Sequence, residues 1–136
     1  MSKRVLCCGT FDYLHPGHES FLNQAARLGE ELVVVVARDE NVERLKGRKP
    51  DHEEEVRRAR VKSLGIAQKV QLGYEGQNFL QVVRDIGPDI IALGYDQGRP
   101  HGLEITFPDC EIVVLKPHYP ERFKSSFIRK KRMEKE

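Results

Sequence analysis

No run of eighteen or more apolar residues occurs in the 136-residue sequence, and its opening residues, MSKRVLCCGT, lack the apolar core of an export signal. Neither secretion nor membrane spanning is expected, which points to a cytoplasmic protein. Cysteine is scarce and awkwardly placed: three residues, two of them adjacent (Cys7, Cys8), make a poor disulfide framework. Around Cys110 no CxxC pair or neighbouring histidine completes a zinc site, so no structural metal is expected. A field of one sign, which a nucleic-acid binder needs, is also missing, because charged residues form 32% of the chain but cancel to a net +2. Any anion site must therefore be local. There are no internal repeats, low-complexity segments or interdomain linkers. Apolar residues at 39% suffice for one buried core, which predicts a single domain over residues 1–136.

What is present is a regular alternation. Arg4 to Cys8 reads as a short buried strand, with Cys7 and Cys8 packing on opposite faces. Gly9 to Pro16 reads as a turn, and Gly17 to Leu28 as a helix whose Phe21, Leu22, Ala25 and Ala26 share one face. Glu31 to Ala37 contains VVVV, a β-branched run suited to a strand covered on both sides. The polar stretch from Lys46 to Glu55 reads as a loop leading into a helix over Asp51 to Leu64, acidic in its first turn and basic afterwards. Val70 to Leu72 is a candidate short strand. Phe79, Leu80, Val82, Val83 and Ile86 have amphipathic helical spacing, stopped by Gly87-Pro88. Asp89 to Leu93 and Glu111 to Leu115 follow as strands, and a basic helix from Ser125 closes the chain. The order predicts an α/β protein: a doubly wound parallel sheet of about five strands with helices on both faces, and ligands above the carboxyl ends of the strands.

The segment Gly9-Thr10-Phe11-Asp12-Tyr13-Leu14-His15-Pro16-Gly17-His18 lies between the first strand and the first helix. A helix N-terminus carries unpaired N–H groups and partial positive charge, so it suits a phosphate. His15 and His18, separated by Pro16-Gly17, would reach the same anion there, and glycine lets backbone approach a ligand closely. The alternatives are a zinc pair, for which the segment offers only Asp12 as a further ligand, or two surface histidines.

GTFDYLHPGH resembles the signature of the cytidylyltransferase-like nucleotidyltransferases, whose GxFDxxHxGH segment binds a nucleoside triphosphate. The resemblance extends to Leu93-Gly94-Tyr95-Asp96-Gln97, which is similar to the archaeal-type FAD synthases. It reaches Lys124-Ser125-Ser126-Phe127-Ile128-Arg129, which is similar to the family's serine/threonine motif but has Phe127 where Thr or Lys is usual and lacks the Arg-Thr lead-in. It implies a Rossmann-like fold and in-line attack of a substrate phosphate on the α-phosphorus of a triphosphate, with pyrophosphate released. The favoured substrates are ATP and FMN. CTP with glycerol 3-phosphate or a related polyol phosphate is the alternative, and a nucleotide-binding regulator without turnover a second one. Mg²⁺ bridging phosphate oxygens is expected as cofactor, small molecules as the partners, and a homodimer fits the family habit.

The resemblance also assigns residues. His15, His18, Thr10 and Lys46 are the expected catalytic set. Gly9, Thr10, Phe11, His15, Pro16, Gly17 and His18 would hold the nucleotide's phosphates, Asp96 its sugar or base side, the backbone around Phe123 the base, and Ser125 and Ser126 the outer phosphates. Lys46, Arg48 and Lys49 fall where related enzymes place a lysine against a phosphate, and which lysine serves stays open. Lys49 and Arg58 are assigned to the acceptor. A solvated basic loop is the competing reading, and for Arg48 the preferred one. In HEEEVRRAR, pairs such as Glu53 with Arg57 and Glu54 with Arg58 could equally lace a surface helix. Asp12 is expected to orient the loop. His101 and His118 read as exposed loop residues, and RKKRMEKE as a basic helix end rather than a nucleic-acid patch.

Overall fold

Every central strand divides its side chains between two apolar layers, because alternate residues of a strand face opposite ways. The computed structural model describes residues 2–76, 78–98, 100 and 102–117. Its strands are β1 (Arg4–Gly9), β2 (Glu31–Val36), β3 (Lys69–Leu72), β4 (Ile90–Leu93) and β5 (Glu111–Val114), with helices α1 (Pro16–Ala26), α2 (Asp39–Lys46), α3 (Glu54–Ser63), α4 (Phe79–Ile86) and α5 (Leu103–Thr106) between them. Val5, Cys7, Leu32, Val34, Val36, Ile90 and Ala92 pack with Leu22 and Ala25 of α1 and Val61 of α3. Leu6, Val33, Val35, Ile91 and Leu93 pack with Val82, Val83 and Ile86 of α4 and Leu103 of α5. Cys8 joins this second layer, opposite Cys7, as strand alternation requires.

The sheet is parallel throughout, in the order β3-β2-β1-β4-β5. Its register is fixed at both ends of β1 by Arg4 opposite Glu31 and Gly9 opposite Val36, with Cys7 opposite Ala92 on the other side. The chain winds outward from β1 through β2 to β3, then returns to the other side of β1 for β4. Loops leaving β1 and β4 therefore diverge, and the crevice of a doubly wound sheet opens between them.

Two helices lie outside the expected pattern. DENVERLK forms α2, whose buried side chain is Val42 alone among its residues, so it has almost no apolar face to betray it. Its C-cap Gly47 is left-handed at φ 82° and its N–H bonds the Glu43 carbonyl, a stop that glycine adopts without strain. Lys46 thus ends a helix instead of lying in a loop. The single turn of α5 was not foreseen either. The helix expected from Asp51 begins at Glu54, because residues 51 and 52 instead offer their N–H groups to Asp12. The pairs Glu53–Arg57 and Glu54–Arg58 do not form: Arg57 pairs with Asp39, Glu54 with Arg38, and Arg58 with Glu55. The expected final helix from Ser125 lies outside the described residues.

Leu6 on β1 is completely buried at the centre of the second layer. Leu6→Ala is expected to lower unfolding free energy by about 2–5 kcal/mol, read from the shift in urea midpoint at unchanged slope. A loss below about 1 kcal/mol would show that the layer relaxes around the cavity.

Candidate active site

At the carboxyl end of β1 the chain leaves the sheet through a tight turn. A Cβ on Gly9 would stand 2.8 Å from the Phe11 ring, so the absence of a side chain there lets the ring lie over the strand end. Phe11 itself is buried and left-handed, φ 53°, a conformation uncommon for a bulky residue. Its ring meets His18 edge-on at 5.5 Å between centroids and lies 6.5 Å from Phe21.

His15 is the N-cap of α1, with extended backbone (φ −147°, ψ 172°), and Pro16 supplies the preset first helical position. The Gly17 N–H donates to His15 Nδ1 at 3.1 Å, while the N–H groups of His18 and Glu19 both donate to the His15 carbonyl. The amides expected to stand free at this helix start are thus satisfied within the turn. What remains is the side chains. The His15 and His18 rings stack at 4.0 Å between centroids, tilted 25°, and His15 Nε2 and His18 Nδ1 are buried without a partner among the described residues. Because Nδ1 of His15 accepts a hydrogen bond, the proton of the neutral ring sits on Nε2, a donor with nothing to donate to. Buried polar atoms are normally paired, so two adjacent orphans single out this pair of rings as the candidate site.

Burial disfavours the charged form of both rings. Burial lowers the pKa of His15, and it lowers that of His18 further, to about 4, helped by the neighbouring His15 and opposed by a backbone hydrogen bond at Tyr13.

Behind the turn stands a polar wall. Asp12 accepts from the N–H groups of Asp51 and His52, at 2.8 and 2.9 Å, and from the His52 ring at 3.1 Å. Burial pushes the Asp12 carboxyl up, but those bonds together outweigh it and hold it below its usual range. Tyr13 donates to Asp51 and meets the His52 ring edge-on. Asp12 thus spans from the turn to residues 51 and 52. Beside it Arg57 is 0% exposed and donates to the Thr10 and His52 carbonyls and to Asp39. Asp39 and Glu54 open α2 and α3, and each carboxylate accepts the other's N–H, with Arg38 bonded to Glu54. Arg58 by contrast sits outside in a pair with Glu55. Charge pattern suggested both arginines; burial separates them.

Across the crevice the Gly94 N–H donates to Gln97 Oε1 at 2.7 Å, while Gln97 Nε2 donates to the Cys8 carbonyl at 3.0 Å. One side chain therefore ties the turn after β4 to the end of β1. Asp96 is exposed in that turn. Lys46 and Lys49 are exposed beyond α2, and no hydrogen bond or ion pair brings either to the two histidines among the described residues. Phe123, Ser125, Ser126, His101 and His118 lie outside the described residues. His52 and Asp39 escaped the sequence reading of the site, while Arg57 and Gln97 were quoted in their motifs without the contacts they make.

The family model for cytidylyltransferase-like proteins matches residues 6–132. The chain belongs to that family. FAD synthase of Aciduliprofundum boonei is 53% identical over 94 residues, covering 69% of this chain and 62% of that protein. FAD synthase of Methanosarcina barkeri is 54% identical over 94 residues, covering 69% and 66%, so the chain spans less than two thirds of these curated relatives. FAD synthase of Thermococcus onnurineus is 47% identical over an alignment of 136 residues, covering 92% of this chain and 87% of the relative. Among solved structures, the lipopolysaccharide core biosynthesis protein of Thermoplasma volcanium superposes with TM-score 0.79 at 36% identity, covering 87% of this chain and 99% of that one. The bifunctional NMN adenylyltransferase/ADP ribose pyrophosphatase of Francisella tularensis shares the fold, with TM-score 0.64 at 15% identity over 96% of this chain and 41% of that one.

In this cytidylyltransferase-like domain the uncharged histidines carry a stability signature. Because the folded pKa of His18 lies near 4, below its ordinary 6.5, the unfolded chain holds more protons between those values. Stability present above pH 6.5 should therefore fall as pH drops toward 4, by on the order of 3 kcal/mol. The lowered Asp12 adds a separate loss below its ordinary 3.8. Urea melts of the ligand-free protein from pH 7 to 4 check this; His18→Asn should flatten the decline, and an equally steep decline in that variant would reject the assignment.

Proposed function

We propose that this protein transfers AMP from ATP to FMN, forming FAD and releasing pyrophosphate. The observation that carries the reading is the stacked pair His15 and His18, with one unpartnered buried nitrogen each, at the mouth of the crevice. The choice of ATP and FMN is supported by relatives named FAD synthase at 47–54% identity.

In this reading an FMN phosphate oxygen attacks the α-phosphorus of ATP; the new P–O bond forms as the bond to the β-phosphate oxygen breaks, and the electron pair leaves with pyrophosphate. His15 donates from Nε2 without changing charge. His18 takes up a proton as the polyanion arrives, since burial holds it neutral beforehand. Both then stabilise charge that grows on the departing diphosphate, the differential binding that lowers a barrier. Gly9, Thr10, Phe11, Pro16 and Gly17 shape the seat and Asp96 reaches the nucleoside; the family resemblance assigns Ser125 and Ser126 to the outer phosphates and the backbone near Phe123 to the base. Lys46 approaches the α-phosphate, and Lys49 and Arg58 the acceptor; Lys46 and Lys49 are exposed, while Arg58 is half-buried in its pair with Glu55. Mg²⁺ takes oxygen ligands and keeps its waters. No cluster of three or more His, Cys, Asp or Glu side chains suited to a metal occurs among the described residues, which fits an ion carried in on the triphosphate.

We place the protein in the cytoplasm as a homodimer acting on small molecules, with neither nucleic acid nor membrane as partner. No described helix is long and apolar enough to cross a membrane, and the net charge of +2 offers little to a polyanionic helix.

The test is a panel: purified protein with ATP or CTP, Mg²⁺, and FMN or glycerol 3-phosphate, assayed for pyrophosphate and product. FAD from ATP and FMN is expected. Turnover confined to CTP would replace the reading with a cytidylyltransferase, and nucleotide binding without turnover would make the protein a regulator. His15→Ala and His18→Ala should each cost at least roughly a hundredfold in kcat; unchanged turnover would remove their role.

A further inference from the structure

We infer that Arg57 is a positioning residue for the phosphate seat: its guanidinium fixes the Thr10–Phe11 peptide so that the Phe11 N–H faces the substrate side. The inference deepens the reading of the site as a nucleotide-phosphate seat and rests on it. It concerns a residue that touches no substrate.

Arg57 is fully buried, and every arm of its fork is committed. Nε donates to the His52 carbonyl at 2.9 Å, Nη1 to the Thr10 carbonyl at 2.8 Å, and Nη2 to Asp39 Oδ1 at 2.5 Å. A trans peptide is planar, with its C=O and N–H pointing opposite ways, and no cis peptide occurs here. Holding the Thr10 carbonyl against the guanidinium therefore turns the next N–H, that of Phe11, away from Arg57. Among the described residues nothing accepts from it. Phe11 is also the described non-glycine residue with positive φ, so the turn does not rest there unaided. Its ring is wedged between Gly9 and His18 on one side of this peptide, and Arg57 grips the carbonyl on the other.

The competing account is that Arg57 merely fastens α3 to the turn. The two differ in what a lysine can replace. Lysine keeps the charge and reaches one or two acceptors, but it lacks the planar fork that fixes three at once. A fastening role tolerates that exchange; an orienting role does not.

The experiment uses the full chain labelled with ¹⁵N, as wild type, Arg57→Lys and Arg57→Met, titrated with inorganic pyrophosphate and with ATP and Mg²⁺. In wild type the Phe11 amide resonance should move on pyrophosphate binding. In Arg57→Lys the amides of the central strands should keep their positions, the Phe11 response should be lost, and half-saturating pyrophosphate should rise at least tenfold, with the KM for ATP rising while kcat changes less. If neither Arg57 variant folds, Asp39→Asn, which loosens one anchor of the fork, serves the same comparison. A Phe11 amide that stays still in wild type, or an unchanged response and KM in a folded Arg57→Lys protein, overturns the proposal. Turnover of ATP with FMN by the wild type is scored separately. No FAD with the Phe11 effect intact sinks the assigned reaction and leaves the positioning role standing; FAD with no Phe11 effect does the reverse.

Discussion

The reversal of winding at β1 is the constraint from which the rest of the molecule follows. With β2 and β3 on one side and β4 and β5 on the other, β1 pairs along both edges, and its inner residues Val5, Leu6 and Cys7 are wholly buried. A strand so enclosed has one free direction, upward from its carboxyl end, and the chain leaves there with little room. Gly9 without a side chain, Phe11 in the left-handed region and His15 as a cap that uses its own ring are the local solutions to that exit. The fold thus supplies the crevice, and the awkward exit supplies the groups that line it.

A site for a polyanion must also deal with the carboxylates around it. Asp12, Asp39 and Glu54 all stand near the turn, and each is engaged: Asp12 by two amides and the His52 ring, Asp39 by Arg57, Glu54 by Arg38 and the Asp39 N–H. Buried charges hold together when geometry and hydrogen bonds offset their desolvation. The reciprocal bonds between Asp39 and Glu54 also place acidic groups at two helix starts, where the helix dipole favours them. These carboxylates are thereby engaged within the scaffold.

The sheet was legible because VVVV and IIAL are unbroken apolar runs, which a parallel strand covered on both faces requires. The turn after β1 stood out because its residues are contiguous. What escaped reading depends on contacts between distant segments. DENVERLK buries Val42, leaves its other apolar residue, Leu45, exposed and is polar elsewhere, so its pattern resembles a loop as much as a helix. HEEEVRRAR reads as a surface helix at i, i+4, but the acceptors that distinguish Arg57 from Arg58 lie at Asp39 and Thr10, far along the chain. Gln97 is hidden for the same reason, since its partner is the Cys8 carbonyl on another strand. Free amides at the start of α1 were a sound expectation from helix geometry; the His15 ring and carbonyl had already used them.

That last difference changes how the site must work. Were free amides the main donors, the empty and filled sites would differ little in charge. Instead, beside the Phe11 N–H, the unpartnered atoms belong to imidazoles whose pKa burial lowers. A neutral pair lets the folded protein exist without two like charges stacked 4.0 Å apart between centroids, an arrangement that would repel strongly in a partly buried setting. On the proposed reading a bound polyanion reverses the balance, because its charge offsets the desolvation that disfavours a protonated His18. On that reading the added positive charge resides on His18 alone, since His15, which accepts the Gly17 N–H at Nδ1, donates from Nε2 as a neutral ring.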